Sequence, residues 1–184
     1  KFVTPGEIFE ELPAPPIGLI ARGNIDLIGK RAISIVGTRN PTQYGIKVAS
    51  EMAANFVDRE WVVVSGGAYG IDTAAHRGSL AAEGRTISVL GSGIVAGYPA
   101  GNQKLFAEIA DAGVLISEVM PLVKAMPYRF LARNRIIAAL SHGTVVVEAA
   151  YRSGSLRTAN VVLLILSNLF SLRKALSTFA ISPT

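Results

Sequence analysis

The chain has 184 residues, half of them apolar and 17% charged, with 18 glycines, no cysteine and a net charge of +5. That length supports one domain burying roughly 70% of its unfolded surface, and the balance of apolar and charged residues excludes a disordered chain. The lack of cysteine excludes disulfides and thiolate metal sites.

Residues 1–31, with Pro5, Pro13, Pro15 and Pro16, read as an extended lead-in packed beside a core. The opening "KFVTPGEIFEEL" has no apolar h-region, so no secretory signal is expected. A first strand follows at Ala32–Val36. "GTRNPTQYG", Gly37 to Gly45, then turns into a helix over Gly45–Arg59. Glycine permits the tight turn, N–H groups at a helix start attract anions, and Arg39 offers a planar fork of donors suited to phosphate. The plainer alternative is a connecting loop with a surface arginine.

A second strand, Trp61–Ser65, runs into "SGGAYGID" and a helix over Ile71–Glu83. This turn either binds phosphate through backbone N–H groups or lets strand and helix pack closely. Asp72 reads as a helix N-terminal carboxylate stabilised by the dipole. Asp72 and His76 also have the i, i+4 spacing of a metal or acid–base pair, but the chain has only two histidines and no acidic cluster. A third strand, Thr86–Leu90, leads to "LGSGIVAGYP". This matches G-x-G-x-x-A loosely, yet Pro99 follows at once and no helix opens, so the context of a dinucleotide fingerprint is missing. No cofactor is expected. A helix over Asn102–Ala112 and a strand over Gly113–Ser117 come next.

Here the charge changes. Residues 1–121 hold ten Lys/Arg against twelve Asp/Glu, whereas residues 122–160 hold Lys124, Arg129, Arg133, Arg135, Arg152 and Arg157 against Glu148 alone. Such a field attracts a polyanion; an ordinary solvated surface is the alternative. Within "YRFLARNRIIAALSHGTVVVEA" a helix is expected over Leu131–Leu140, with Arg133 in its first turn and on the face of Ile137 and Leu140. The dipole disfavours a cation there, and a bound phosphate would offset both that and the buried charge. Asn134 can cap or hydrogen-bond, and Tyr128 and Phe130 offer stacking faces beside cations, as single-stranded nucleic acid sites do. The competing reading pairs Arg133 with Glu118 or Glu148 and makes Phe130 core. After a strand at Thr144–Glu148, "SGSLRTA" resembles a phosphate-cradling turn through Ser153 and Gly154. Neither G-x-x-x-x-G-K-[ST] nor G-x-S-x-G occurs, so P-loop and serine-hydrolase chemistry find no footing. The longest apolar run, "VVLLILSNLF", is shorter than the ~20 residues of a spanning helix; a soluble, cytoplasmic protein without a membrane partner is expected.

Nearly continuous apolar strands alternating with helices specify a mostly parallel sheet covered on both faces. The class is α/β, doubly wound and Rossmann-like, with ligands expected in the crevice at the carboxyl ends of the strands. The organisation expected is a lead-in over 1–31, a Rossmann-like domain over 32–160 and an atypical tail over 161–184.

The ordered series "IVGTRNPTQYG", "VVSGGAYGIDTAAHRGSL", "GRTISVLGSGIVAGYP", "LISEV", "FLARNRIIAAL" and "VVVEAAYRSGSLRTA" resembles the DNA-processing protein A family (DprA, also called Smf). The resemblance runs from about Pro13 to Ala159. It implies an extended Rossmann domain that binds single-stranded DNA, works as a homodimer, and protects and delivers DNA to the RecA recombinase in natural transformation, without catalytic turnover. By motif it places DNA contacts at Gly37, Thr38 and Arg39, at Ser65, Gly66 and Gly67, and at Phe130, Arg133 and Asn134; Lys124 joins them on charge. Beyond Ala159 the chain departs from the family pattern: "NVVLLILSNLFSLRKALSTFAISPT" lacks glycine, although "VVLLIL" can supply a last strand. Two alternatives stand beside this reading. One is a phosphoribohydrolase-like enzyme, for whose P-G-G-x-G-T-x-x-E turn only Glu148 is available; the other is an inactive scaffold.

Overall fold

The computed structural model describes residues 2–3, 7–10, 12, 14–149 and 180–181. Their strands are β1 (Phe2–Val3), β2 (Leu19–Gly23), β3 (Ala32–Gly37), β4 (Val62–Ser65), β5 (Thr86–Leu90), β6 (Val114–Ser117), β7 (Thr144–Val147) and β8 (Ala180–Ile181). The helices are α1 (Gln43–Val57), α2 (Ile71–Ala81), α3 (Gln103–Ala112) and α4 (Pro127–Ala139). The strands form one sheet in the order β1-β2-β6-β5-β4-β3-β7-β8. From β6 to β8 all neighbours are parallel, while β1 and β2 join antiparallel at the β6 side. The expected class, a mostly parallel Rossmann-like α/β fold, is the one observed.

Alternation along each strand divides the core. Ala32 and Val36 of β3, with Val62, Val64, Ile87 and Val89, face Ile136, Ile137 and Leu140 of α4 and Phe9 and Leu12 of the N-terminal segment. Ile33, Ile35, Val63, Val145 and Val147 face Ala49 and Ala53 of α1 and Ile71, Ala74 and Ala75 of α2. Leu90 and Leu115 pack on Leu105, Phe106 and Ile109 of α3 on that same side. Thus α1, α2 and α3 cover one face and α4 the other. The order steps outward from β3 to β6, and α4 then carries the chain back across the sheet to β7. The reversal lies between β3 and β7, and a switch point of this kind opens the ligand crevice.

Two sequence expectations change. Leu19–Gly23, within the lead-in, is a sheet strand paired with β6 from Ile20↔Ser117 to Gly23↔Val114. Helix α4 starts at Pro127 rather than Leu131, because proline's fixed φ and missing N–H suit a first helical turn. Arg133 therefore sits seven residues into the helix, not in its first turn, and what opposes its charge is desolvation rather than the dipole. "VVLLIL" lies outside the described residues.

Candidate nucleic-acid interface

The loops after the strands converge because glycines let backbone approach backbone. A Cβ at Gly37 would overlap the Val147 carbonyl and Ile71. Gly70, at φ +78°, faces the Thr38 carbonyl and Pro41, and Ile71 N–H donates to Thr38 O at 3.1 Å. Thr38 N–H donates in turn to Glu148 O at 2.8 Å. The first, second and last loops are thereby tied into one rim.

Beneath that rim lies Arg133, 7% exposed. Rising from α4, its Nη1 donates to Gly66 O at 2.6 Å and to Val89 O, so the guanidinium clasps the carboxyl ends of β4 and β5. Gly66 leaves room for it, since a Cβ there would displace the guanidinium. Its Nε is buried without a partner among the described residues. Burial lowers the Arg133 pKa to about 10; Asp72 opposes that shift and Arg39 adds to it. The side chain remains charged at neutral pH.

Asp72 belongs to α2, on the opposite face of the sheet, so this coupling links the two helical layers. Burial raises the Asp72 pKa, against the pull of Arg133, the Ala68 N–H and the Gly66 N–H. Ala68 N–H lies 3.3 Å from its Oδ2. Glu118 and Glu148, the partners considered for Arg133, are engaged elsewhere. Glu118 takes a two-pronged ion pair from Arg135, at 2.8 and 2.5 Å. Glu148 accepts from the Thr42 N–H at 2.8 Å and from the Thr42 hydroxyl. Thr42 caps α1 through Gly45 N–H, so an internal carboxylate occupies the anion-favouring start of that helix. His76, i+4 from Asp72, turns away to Thr86: the Thr86 hydroxyl donates to Val63 O and so accepts from His76 Nδ1 at 2.8 Å.

Above this buried layer the rim is cationic and aromatic. Arg39 is exposed, and its guanidinium carbon lies 5.3 Å from the Phe130 ring centroid. Phe130, half-buried, has Gly91 at its edge, where a Cβ would come within 2.7 Å of Cδ1, and Tyr98 beside it at 5.6 Å between centroids. Lys124 is exposed, and its carbonyl accepts from Arg129 Nη1 at 2.6 Å; the Arg129 guanidinium carbon stands 5.3 Å from the Tyr128 ring centroid.

The expected site residues thus fall into two layers. Arg39, Phe130 and Lys124 lie at the mouth, with Gly37 and Thr38 in its wall. Ser65, Gly66, Gly67, Arg133 and Asn134 are buried below it, the Ser65 hydroxyl donating to Ile35 O at 2.7 Å. Ser153 and Gly154 lie outside the described residues. Sequence reasoning passed over Tyr98. An aromatic residue in a glycine-rich loop at a strand's carboxyl end was the available signal.

Fold and rim together define a Rossmann-like α/β protein whose carboxyl-end rim carries cations and aromatic rings. The family model of DNA recombination-mediator protein A matches residues 5–180, and the chain belongs to that family. It is 44% identical over 146 residues to the DNA processing protein DprA of Bacillus subtilis, covering 79% of this chain and 49% of that protein. The X-ray structure of DprA from Streptococcus pneumoniae superposes with a TM-score of 0.90 at 33% identity, over 100% of this chain and 63% of that one. DNA processing protein A of Helicobacter pylori, a structure described for its single-stranded DNA binding mode, gives 0.83 at 30% identity, over 90% and 78%. The chain spans between 38% and 52% of the length of the curated relatives it matches. No helix among the described residues is long and apolar enough to cross a membrane.

Proposed function

We propose that this chain binds single-stranded DNA across the carboxyl-end rim of its sheet, protects it and delivers it to a RecA-type recombinase in transformation, as a homodimer and without catalytic turnover. The observation that carries the reading is the cluster of Arg39, Phe130 and Tyr98 at the carboxyl ends of the strands, together with exposed Lys124. A cation over aromatic rings holds phosphate and base together, and stacking is open only to unpaired bases. The related structure from Helicobacter pylori, described for single-stranded DNA binding, supports the same assignment. Arg133 and Asp72 form the buried floor that fixes these loops. The phosphoribohydrolase alternative rests on Glu148, whose carboxylate is committed to Thr42.

The test is fluorescence anisotropy with oligo-dT and a duplex of equal length. Arg39→Ala is expected to weaken oligo-dT binding by about 1.5–3 kcal/mol, the scale of a hydrogen bond to a charged group. Wild-type affinity in that variant removes Arg39 from the interface.

A further inference from the structure

Of the two rings nearest Arg39, the more exposed is not Phe130. Phe130 is half-buried, with the Arg39 guanidinium 5.3 Å from its centroid and Gly91 against its edge. Tyr98, its neighbour at 5.6 Å, remains 48% exposed. We propose that Tyr98 is the base-stacking platform of the site, while Phe130 acts from beneath as the anchor that aims Arg39 at the phosphate. This inference rests on the single-stranded DNA reading and assigns its two recognition tasks to different residues.

Three observations support it. Tyr98 sits in a loop held at several points: its N–H donates to Ser92 Oγ at 3.2 Å, Ser117 Oγ donates to Ser92 O at 2.8 Å, and Gln103 Nε2 donates to Gly97 O at 2.6 Å. Gly93 and Val95 N–H groups bind the carbonyls of Val123 and Pro121 at 2.8 and 3.0 Å. A ring presented on so fixed a loop stacks a base with little ordering cost. Second, the Tyr98 and Phe130 planes meet at 52°, so a base on Tyr98 cannot continue a flat stack through Phe130. Neighbouring bases in a duplex rise by about 3.4 Å in parallel planes; this surface suits one splayed base. Third, the Arg39 guanidinium and the Tyr98 ring share Phe130 as a common neighbour, at 5.3 and 5.6 Å from its centroid.

Anisotropy with oligo-dT and with an abasic sugar-phosphate strand of equal length separates the tasks. Wild-type protein is expected to prefer oligo-dT. In Tyr98→Ala that preference falls by at least about five-fold, the lower end of what one stacked base contributes. Tyr98→Phe keeps it, and Tyr98→Leu, which preserves apolar packing on Phe130 if the alanine variant fails to fold, loses it. Phe130→Leu weakens both strands together and flattens the salt dependence. An unchanged preference in the alanine and leucine variants, or a preference lost in Phe130→Leu alone, overturns the assignment while single-stranded DNA binding stands. Failure of the wild-type protein to bind either strand overturns that reading itself.

Discussion

Arg133 and Arg39 are both arginines over glycine turns, yet their surroundings give them different tasks. Arg39 is exposed at the rim; Arg133 is buried and spends one nitrogen on two carbonyls across the β4–β5 boundary. Removing it leaves the Gly66 and Val89 carbonyls buried without their donor, a loss of about 1–3 kcal/mol for each buried group left unsatisfied. Arg133→Ala is therefore expected to lower the urea midpoint sharply. An unchanged midpoint would place Arg133 in binding alone. His76 carries a pH dependence. Its pKa is lowered from 6.5 to about 3, chiefly by burial and then by Arg133. Between those values the unfolded chain binds a proton that the folded chain refuses, so stability falls as pH drops from about 6.5 toward 3, by about 1.4 kcal/mol per unit. Asp72, whose pKa is raised from 3.8, works in the opposite sense: its contribution is fullest below 3.8 and is lost as pH rises above it. Denaturant unfolding of His76→Leu across that range should show the acid loss removed; a retained slope would assign it to other groups.

At the scale of elements, the N-terminus of α1 shows how a connecting loop and a distant strand end share one polar contact. Glu148, at φ 50° just past β7, satisfies the Thr42 N–H and hydroxyl while Thr42 caps Gly45 N–H. Glu148→Ala is expected to cost about 1–2 kcal/mol, the upper range for a lost N-terminal cap, read as a lower thermal midpoint; loss of nucleotide hydrolysis instead would revive the enzyme reading. Such contacts mark the limit of what the sequence discloses. The five apolar runs from Ala32 to Val147 were legible because a strand buried on both faces is predominantly apolar. The start of α4 was obscured because its first turn, Pro127 to Phe130, lies outside the buried stripe of Ile136 and Ile137, leaving Pro127 as the available signal. β2 was obscured because "LIARG" is short and lies among prolines and glycines, while its pairing is supplied by β6. At the site, the convergence of glycine turns was legible from their positions after strands. Which arginine is buried and which ring is free depends on α4's rotation against the sheet, a tertiary property.

For the whole molecule, the charge asymmetry becomes a countable quantity. Of the six cations in residues 122–160, Arg133 is buried and Arg135 is paired with Glu118. Lys124 and Arg129 have no carboxylate within ion-pair distance among the described residues, and neither does Arg39 across the crevice. Three available cations predict a slope of log K against log[salt] of about −2, at roughly −0.7 per phosphate neutralised on a single strand. Engagement of Arg152 and Arg157 as well would steepen it to about −3.5. The raw count of cations overstates the field, because the fold spends two of them on its own structure. An oligo-dT titration between low and moderate salt decides among these counts. Arg39→Ala should shallow the slope by about 0.7, one phosphate contact, whereas Tyr98→Ala should lower affinity at every salt concentration and leave the slope as it was. A slope near zero in the wild-type protein would mean that the rim meets no phosphate chain, and the basic segment would then be a solvated surface.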